Sequence, residues 1–140
     1  MIKVTELMIN DWVSINNSNY LVKDIKKKGV IKLYENTQWG ENEIEFNTDY
    51  LEEFIQPIPL TPEILEKNFG KPYPRGGFPN YRMEKDETIA FVIEDRRVSA
   101  APDNRVVFCR VPGTYICDVN YVHELQHALK LCKIEKEIVL

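Results

Sequence analysis

One stretch of the chain has residue types at a spacing that could do chemistry: His123-Glu124-Leu125-Gln126-His127. Side chains four apart share a helix face, so two imidazoles could hold one zinc ion while the glutamate activates a metal-bound water. On that reading His123 and His127 are the metal ligands and Glu124 is the general base of a zinc-dependent hydrolase. The same pattern arises by chance in roughly one chain in three hundred of this composition, so the motif needs support from its surroundings. A catalytic zinc takes a third protein ligand, and the longer metalloprotease pattern supplies it with a glycine three and a histidine six residues past the second histidine. Lys130 and Lys133 stand there. The alternative, a carboxylate from a following helix, has only the thirteen residues after His127 to draw on, with Glu135 and Glu137 just beyond the expected helix. At about 100° per residue, Tyr121, Val122, Leu125, Ala128, Leu129 and Cys132 form one apolar stripe. His123 and His127 fall nearly opposite its centre, so the wheel expects both in solvent, titrating independently.

Other constellations carry less. Cys109 and Cys117 with His123 and His127 make a Cys-x7-Cys-x5-His-x3-His run whose first and middle spacings do not match a zinc finger. Lys26-Lys27-Lys28 is a small basic patch at a strand end and Trp39 a loop aromatic, parts with which small barrels can bind nucleic acid, though three lysines at a hairpin more often form a solvated turn. Asp95-Arg96-Arg97 reads as a solvated turn too. No serine has a nucleophile-elbow context, and no glycine-rich phosphate loop is present.

The elements that would position these residues are mostly strands. Trp12–Ile15 and Tyr20–Ile25 alternate apolar and polar residues around the turn-forming run Asn16–Asn19. Val30–Tyr34, a polar loop from Asn36 to Gly40, and Glu43–Phe46 follow. A helical turn at Asp49–Glu52 and a last strand at Phe54–Gln56 complete a pattern matching the small Src-homology type of barrel. Three prolines within Pro57–Pro62 favour a stiff, extended spacer. Thr61 is a suitable N-cap and Pro62 a suitable first helical residue, with Gly70 near the end of a helix running to about Asn68. Lys71–Asn80 is a loop by composition. Strands return at Tyr81–Met83, Ile89–Ile93, Val106–Val111 and Thr114–Cys117, the last two paired about Pro112-Gly113. A helix from about Val119 to Lys133, capped by Asp118, and a short strand within Glu135–Leu140 end the chain. The fold class is therefore α+β: a five-stranded Src-homology-like barrel half (1–56), a proline-rich linker (57–60), and an α+β half (61–140), an antiparallel sheet with two helices on which the barrel packs.

Composition narrows the function classes. With 44% apolar residues among 140 the chain can build a core, and no run approaches the ~18 apolar residues of a membrane span. The opening MIKVTELMINDWV lacks the layout of a secretory leader. Three cysteines without a Cys-x-x-Cys pair suit reduced, structural thiols and a cytoplasmic location. The net charge of −4 provides no overall field for phosphate binding.

Pro57–Asn68, PIPLTPEILEKN, and Tyr121–Cys132, YVHELQHALKLC, resemble a family of small uncharacterised proteins encoded in phage-like and other mobile regions of gut-dwelling anaerobic bacteria. Glu6-Leu7 with Asp11-Trp12-Val13 is similar to that family's opening. One departure is Phe69-Gly70, where relatives tend to read Gly-Phe. Similar proteins often show glutamine at the place of Glu124, so the resemblance argues against the metal site and implies no other activity. Taken together, these readings make the chain a non-enzymatic accessory or interaction protein of a phage-like or mobile element, without a cofactor. Its expected partner is another protein; nucleic acid is the lesser candidate and a membrane is not expected. The zinc hydrolase built on His123, Glu124 and His127 is the alternative.

Overall fold

The computed structural model describes residues 6–26, 30–37, 40–47, 54–85, 88–98, 103–111 and 113–140. Over these residues it is α+β, with two five-stranded antiparallel sheets and two helices. The chain divides into two compact units, Met1–Ile58 and Pro59–Leu140.

The first unit is one sheet of β1 (Trp12–Ile15), β2 (Ser18–Lys26), β3 (Val30–Thr37), β4 (Gly40–Asn47) and β5 (Ile55–Gln56), in the order β4-β3-β2-β1-β5. Asn16 and Asn17 both take positive φ, the requirement of the two-residue turn that closes Ile15 onto Ser18. Alternation then sends Val13, Ile15, Val22, Ile31 and Leu33 to one face, where they pack with Leu7 and Ile55. β5 folds back beside β1, as a barrel requires of its last strand, but the sheet stays open: among the described residues β4 and β5 do not pair. The polar loop expected from Asn36 to Gly40 is shorter than that, because the β3–β4 ladder runs on to the pair Thr37–Gly40. The helical turn expected at Asp49–Glu52 lies outside the described residues.

In the second unit, α1 (Pro62–Phe69) starts where its signals lie: the Thr61 hydroxyl accepts the Ile64 N–H at 3.2 Å, and Gly70 closes the helix at φ 82°. β6 (Tyr73–Arg75), β7 (Phe78–Lys85), β8 (Thr88–Asp95), β9 (Val106–Arg110) and β10 (Thr114–Asp118) form a sheet in the order β10-β9-β8-β7-β6, followed by α2 (Val122–Leu131). The cross-strand pairs Tyr81–Ile93, Met83–Phe91 and Ile93–Phe108 set one buried sheet face, with α1 against β7.

Three expectations are corrected here. Lys71–Asn80 is not a loop but most of a hairpin. Gly76 and Gly77 both have positive φ and form its two-residue turn, closed by the pair Arg75–Phe78. Pro74 and Pro79 oppose each other one step further out, at the pair whose N–H groups point away from the partner strand, so no bond between β6 and β7 is lost. The final residues form no strand. The buried Asn68 side chain acts as their strand partner: its Nδ2 donates to the Val139 carbonyl at 2.7 Å and its Oδ1 accepts the Val139 N–H at 2.8 Å. The last helix begins three residues later than Val119 and is capped by Tyr121, not Asp118. Asp118 is still paired with Val107 in the sheet.

Cys109 is buried and Cys117 and Cys132 are half-buried, all three as free thiols. Burial pushes the Cys109 and Cys117 thiols above their ordinary pKa. Titration with a thiol reagent should therefore count three groups in denaturant without reductant, and a count of one would reveal a disulfide.

Candidate functional site

The late start of α2 decides the geometry of the His-Glu-x-x-His motif. Residues 118–121 are held extended by bonds on both sides. Val119 N–H donates to the Val106 carbonyl at 2.8 Å, and Asn120 Oδ1 accepts the Val106 N–H at 2.9 Å. On the other side Leu60 N–H donates to the Asn120 carbonyl at 3.0 Å, and Pro59 bridges to Tyr121. Tyr121 is thus the N-cap, at φ −125° and ψ 154°, and the motif occupies the first two turns.

Glu124 falls at the third helical position, where a carboxylate can fold back on the cap. Its Oε1 accepts the Tyr121 N–H at 3.1 Å. Burial raises the Glu124 carboxyl pKa, while the Tyr121 and Asn120 N–H groups and nearby His127 pull it down. An otherwise unsatisfied N–H at the positive end of the helix is what this carboxylate serves.

His123 departs from the wheel. It is buried, with 6% of its surface exposed, and its Nδ1 is among the buried atoms. A wheel treats the helix as an isolated cylinder, whereas a residue in the first turn has the entering chain beside it. Here that chain brings the Tyr121 ring to 6.1 Å from the imidazole, nearly parallel to it. His127 is half-buried and meets the His123 ring edge-on at 5.7 Å, so the two imidazoles are neighbours and not independent surface groups. The motif therefore brings its two imidazoles together, while the Glu124 carboxylate is turned to the helix terminus. Lys130, Lys133, Glu135 and Glu137 are exposed. Among the described residues no group of three His, Cys, Asp or Glu side chains is placed to hold a metal ion.

No protein-family model, curated protein or solved structure matches the chain.

The remaining constellations are placed as follows. Cys109 stands opposite Tyr115 and Cys117 opposite Phe108, on either side of a bulge in the β9–β10 ladder. Lys27, Lys28 and Trp39 lie outside the described residues. Asp95-Arg96-Arg97 is a solvated turn only in part: Arg96 and Arg97 form a turn and are half-buried, but Asp95 ends β8, is fully buried, and is held by Arg97 through Nε at 2.8 Å and Nη2 at 2.9 Å. No helix among the described residues is long and apolar enough to cross a membrane.

Two contacts that sequence reasoning missed lie on the sheet face opposite Tyr81 and Met83. The Arg82 guanidinium sits 3.8 Å from the centre of the Tyr73 ring, and that of Arg96 lies 5.6 Å from the centre of the Phe78 ring. Register explains the first: Tyr73 pairs with Asn80, and Arg82 is two residues further along the same face. The available signal was compositional, since Lys71–Arg82 contains three cations, three aromatics and no carboxylate.

Proposed function

We propose that the chain is a non-enzymatic accessory or interaction protein of a phage-like or mobile element, acting in the cytoplasm through macromolecular contacts. The observation that carries this reading is the hydrogen bond between the Glu124 carboxylate and the Tyr121 N–H. A general base must reach a water between the two imidazoles, and this carboxylate is instead turned to its own helix terminus. The burial of His123 supports the same reading, since it gives the imidazole a packing role. The mobile-element setting rests on the resemblance of the segments 57–68 and 121–132.

Elemental analysis after incubation with zinc, together with peptide-cleavage assays, tests the proposal. The expected result is no stoichiometric zinc and no cleavage. About one zinc per chain, lost on His127→Ala, would instead favour the hydrolase. Two substitutions sharpen the test. Because burial raises its pKa, Glu124 contributes stability that is complete below its unfolded pKa of 4.5 and fades as pH rises through the higher folded value. At neutral pH Glu124→Gln keeps an acceptor for Tyr121 without a buried charge, so stability should stay within about 0.5 kcal/mol of the parent. Glu124→Ala should lose about 1 kcal/mol, the usual worth of a cap.

A further inference from the structure

We infer that the β6–β7 hairpin is a binding element for single-stranded nucleic acid. The observation behind this is a segregation of charge. Lys71–Arg82 has net charge +3 in a chain of net charge −4, which leaves −7 on the remainder. That stretch runs into the β6–β7 hairpin at the sheet edge, whose strands and turn, Tyr73–Lys85, carry Arg75, Arg82 and Lys85 against the single carboxylate Glu84.

The side chains are arranged for stacking as well as for charge. Tyr73 is 52% exposed, and the exposed Arg82 guanidinium covers part of its ring at 3.8 Å. A guanidinium lying on a ring makes a flat cationic platform, and a base can stack on what remains uncovered. Among the described residues no carboxylate pairs with Arg82, so its charge is available to a phosphate. Further along the same face, Phe78 carries Arg96, whose charge is balanced by Glu94 at 2.9 Å. This second platform therefore adds stacking area but little net charge. Both rings belong to the sheet face opposite Tyr81 and Met83, and the Gly76-Gly77 turn between the strands is exposed.

Duplexes keep their bases stacked on one another, so rings on an open sheet face favour unpaired strands. An acidic protein would satisfy the cations but would leave the stacking surface unused. The inference gives the interaction-protein reading a partner class and can fail without it. A null titration removes nucleic acid as the partner, whereas only zinc binding or catalysis removes the non-enzymatic reading.

The test is fluorescence anisotropy of a labelled oligothymidylate of about 15 nucleotides, titrated with the intact chain. Binding is expected at about 50 mM salt, and should weaken roughly 20-fold by about 200 mM if three phosphates are engaged. Tyr73→Ala and Arg82→Ala should each weaken it on the order of 10-fold. Arg82→Lys should also weaken it, because the charge stays while the planar stack is lost. Lys133→Ala, on the far side of α2 in sequence, should change nothing. Circular dichroism melts of the variants separate loss of contact from loss of fold. The inference is overturned by no anisotropy change up to about 100 μM protein at the lower salt, by equal affinity for a duplex or for poly-glutamate, or by a Tyr73→Ala variant that binds like the parent.

Discussion

Replacing Arg97 with alanine should destabilise the protein by about 3 kcal/mol, several times the effect of the same change at its neighbour Arg96. The difference lies in what each arginine leaves behind. Asp95 is fully buried, and Arg97 holds both of its oxygens, through Nε to Oδ1 at 2.8 Å and Nη2 to Oδ2 at 2.9 Å. The Arg97 backbone N–H donates to the same carboxylate at 3.2 Å. Without the guanidinium, a charge remains out of water with one weak donor, and the fold must carry its desolvation. The Arg97 side chain is itself 28% exposed, which puts the expected cost at the lower end for buried pairs. Arg96 pairs with Glu94 where both side chains reach solvent, so Arg96→Ala should cost about 1 kcal/mol or less. Urea denaturation of the two variants gives the comparison. Equal midpoints would mean that Asp95 finds other partners. Replacing Asp95 and Arg97 together by apolar residues of similar volume should recover most of the loss, since an ion pair removed whole leaves no buried charge.

That pair also shows why part of the molecule was readable from sequence and part was not. Local signals located α1 nearly to the residue: Thr61 and Pro62 act at its start and Gly70 at its end, and nothing distant competes with them. Apolar alternation located the strands for the same reason, because Val13, Ile15, Val22, Ile31 and Leu33 need only the pleat to share a face. Reading failed where a distant strand overrode a local preference. Asp118 has the chemistry of an N-cap, but its pairing with Val107 keeps the chain extended for three more residues. Asp95 and Arg97 look like a charged turn until the sheet buries the carboxylate. Pro74 and Pro79 look like loop punctuation until the Gly76-Gly77 turn aligns them at the one pair where missing N–H groups cost nothing.

The candidate site divides in the same way. His123, Glu124 and His127 were visible as a spacing, and the structure makes neighbours of the two imidazoles. What each does there depends on where the helix begins, a matter settled by the bonds that Val106 and Leu60 make to the segment before it. With the first turn at Val122, Glu124 lies within reach of the Tyr121 N–H and His123 lies beside the Tyr121 ring. The Tyr73–Arg82 platform was hidden for a different reason, because its members meet only across the β6–β7 register.

Phe108→Ala should be the most damaging single change, costing about 3–5 kcal/mol. Phe108 is fully buried, faces Ile93 across the β8–β9 ladder, and stacks on Phe91 at 5.4 Å with the rings nearly parallel. Its truncation removes a large apolar area, an aromatic pair and the filling of the space they share. Against a typical domain stability of about 5–15 kcal/mol, such a loss leaves a substantial unfolded fraction well below the parent's melting temperature. Cys109 is also buried but points to the opposite face of the sheet, and its replacement by alanine removes a single sulfur, so a cost of about 1 kcal/mol is expected. The pair of variants tests the register, since a slip by one residue would exchange the two faces and reverse the ranking. It also separates the fold from the hairpin's proposed binding. Phe108→Ala should lose oligonucleotide affinity only as far as the chain unfolds, and should regain it on cooling toward the temperature of greatest stability. Tyr73→Ala should lose affinity at every temperature with its melting curve unchanged, because that ring contributes its exposed surface to a ligand and little to the core.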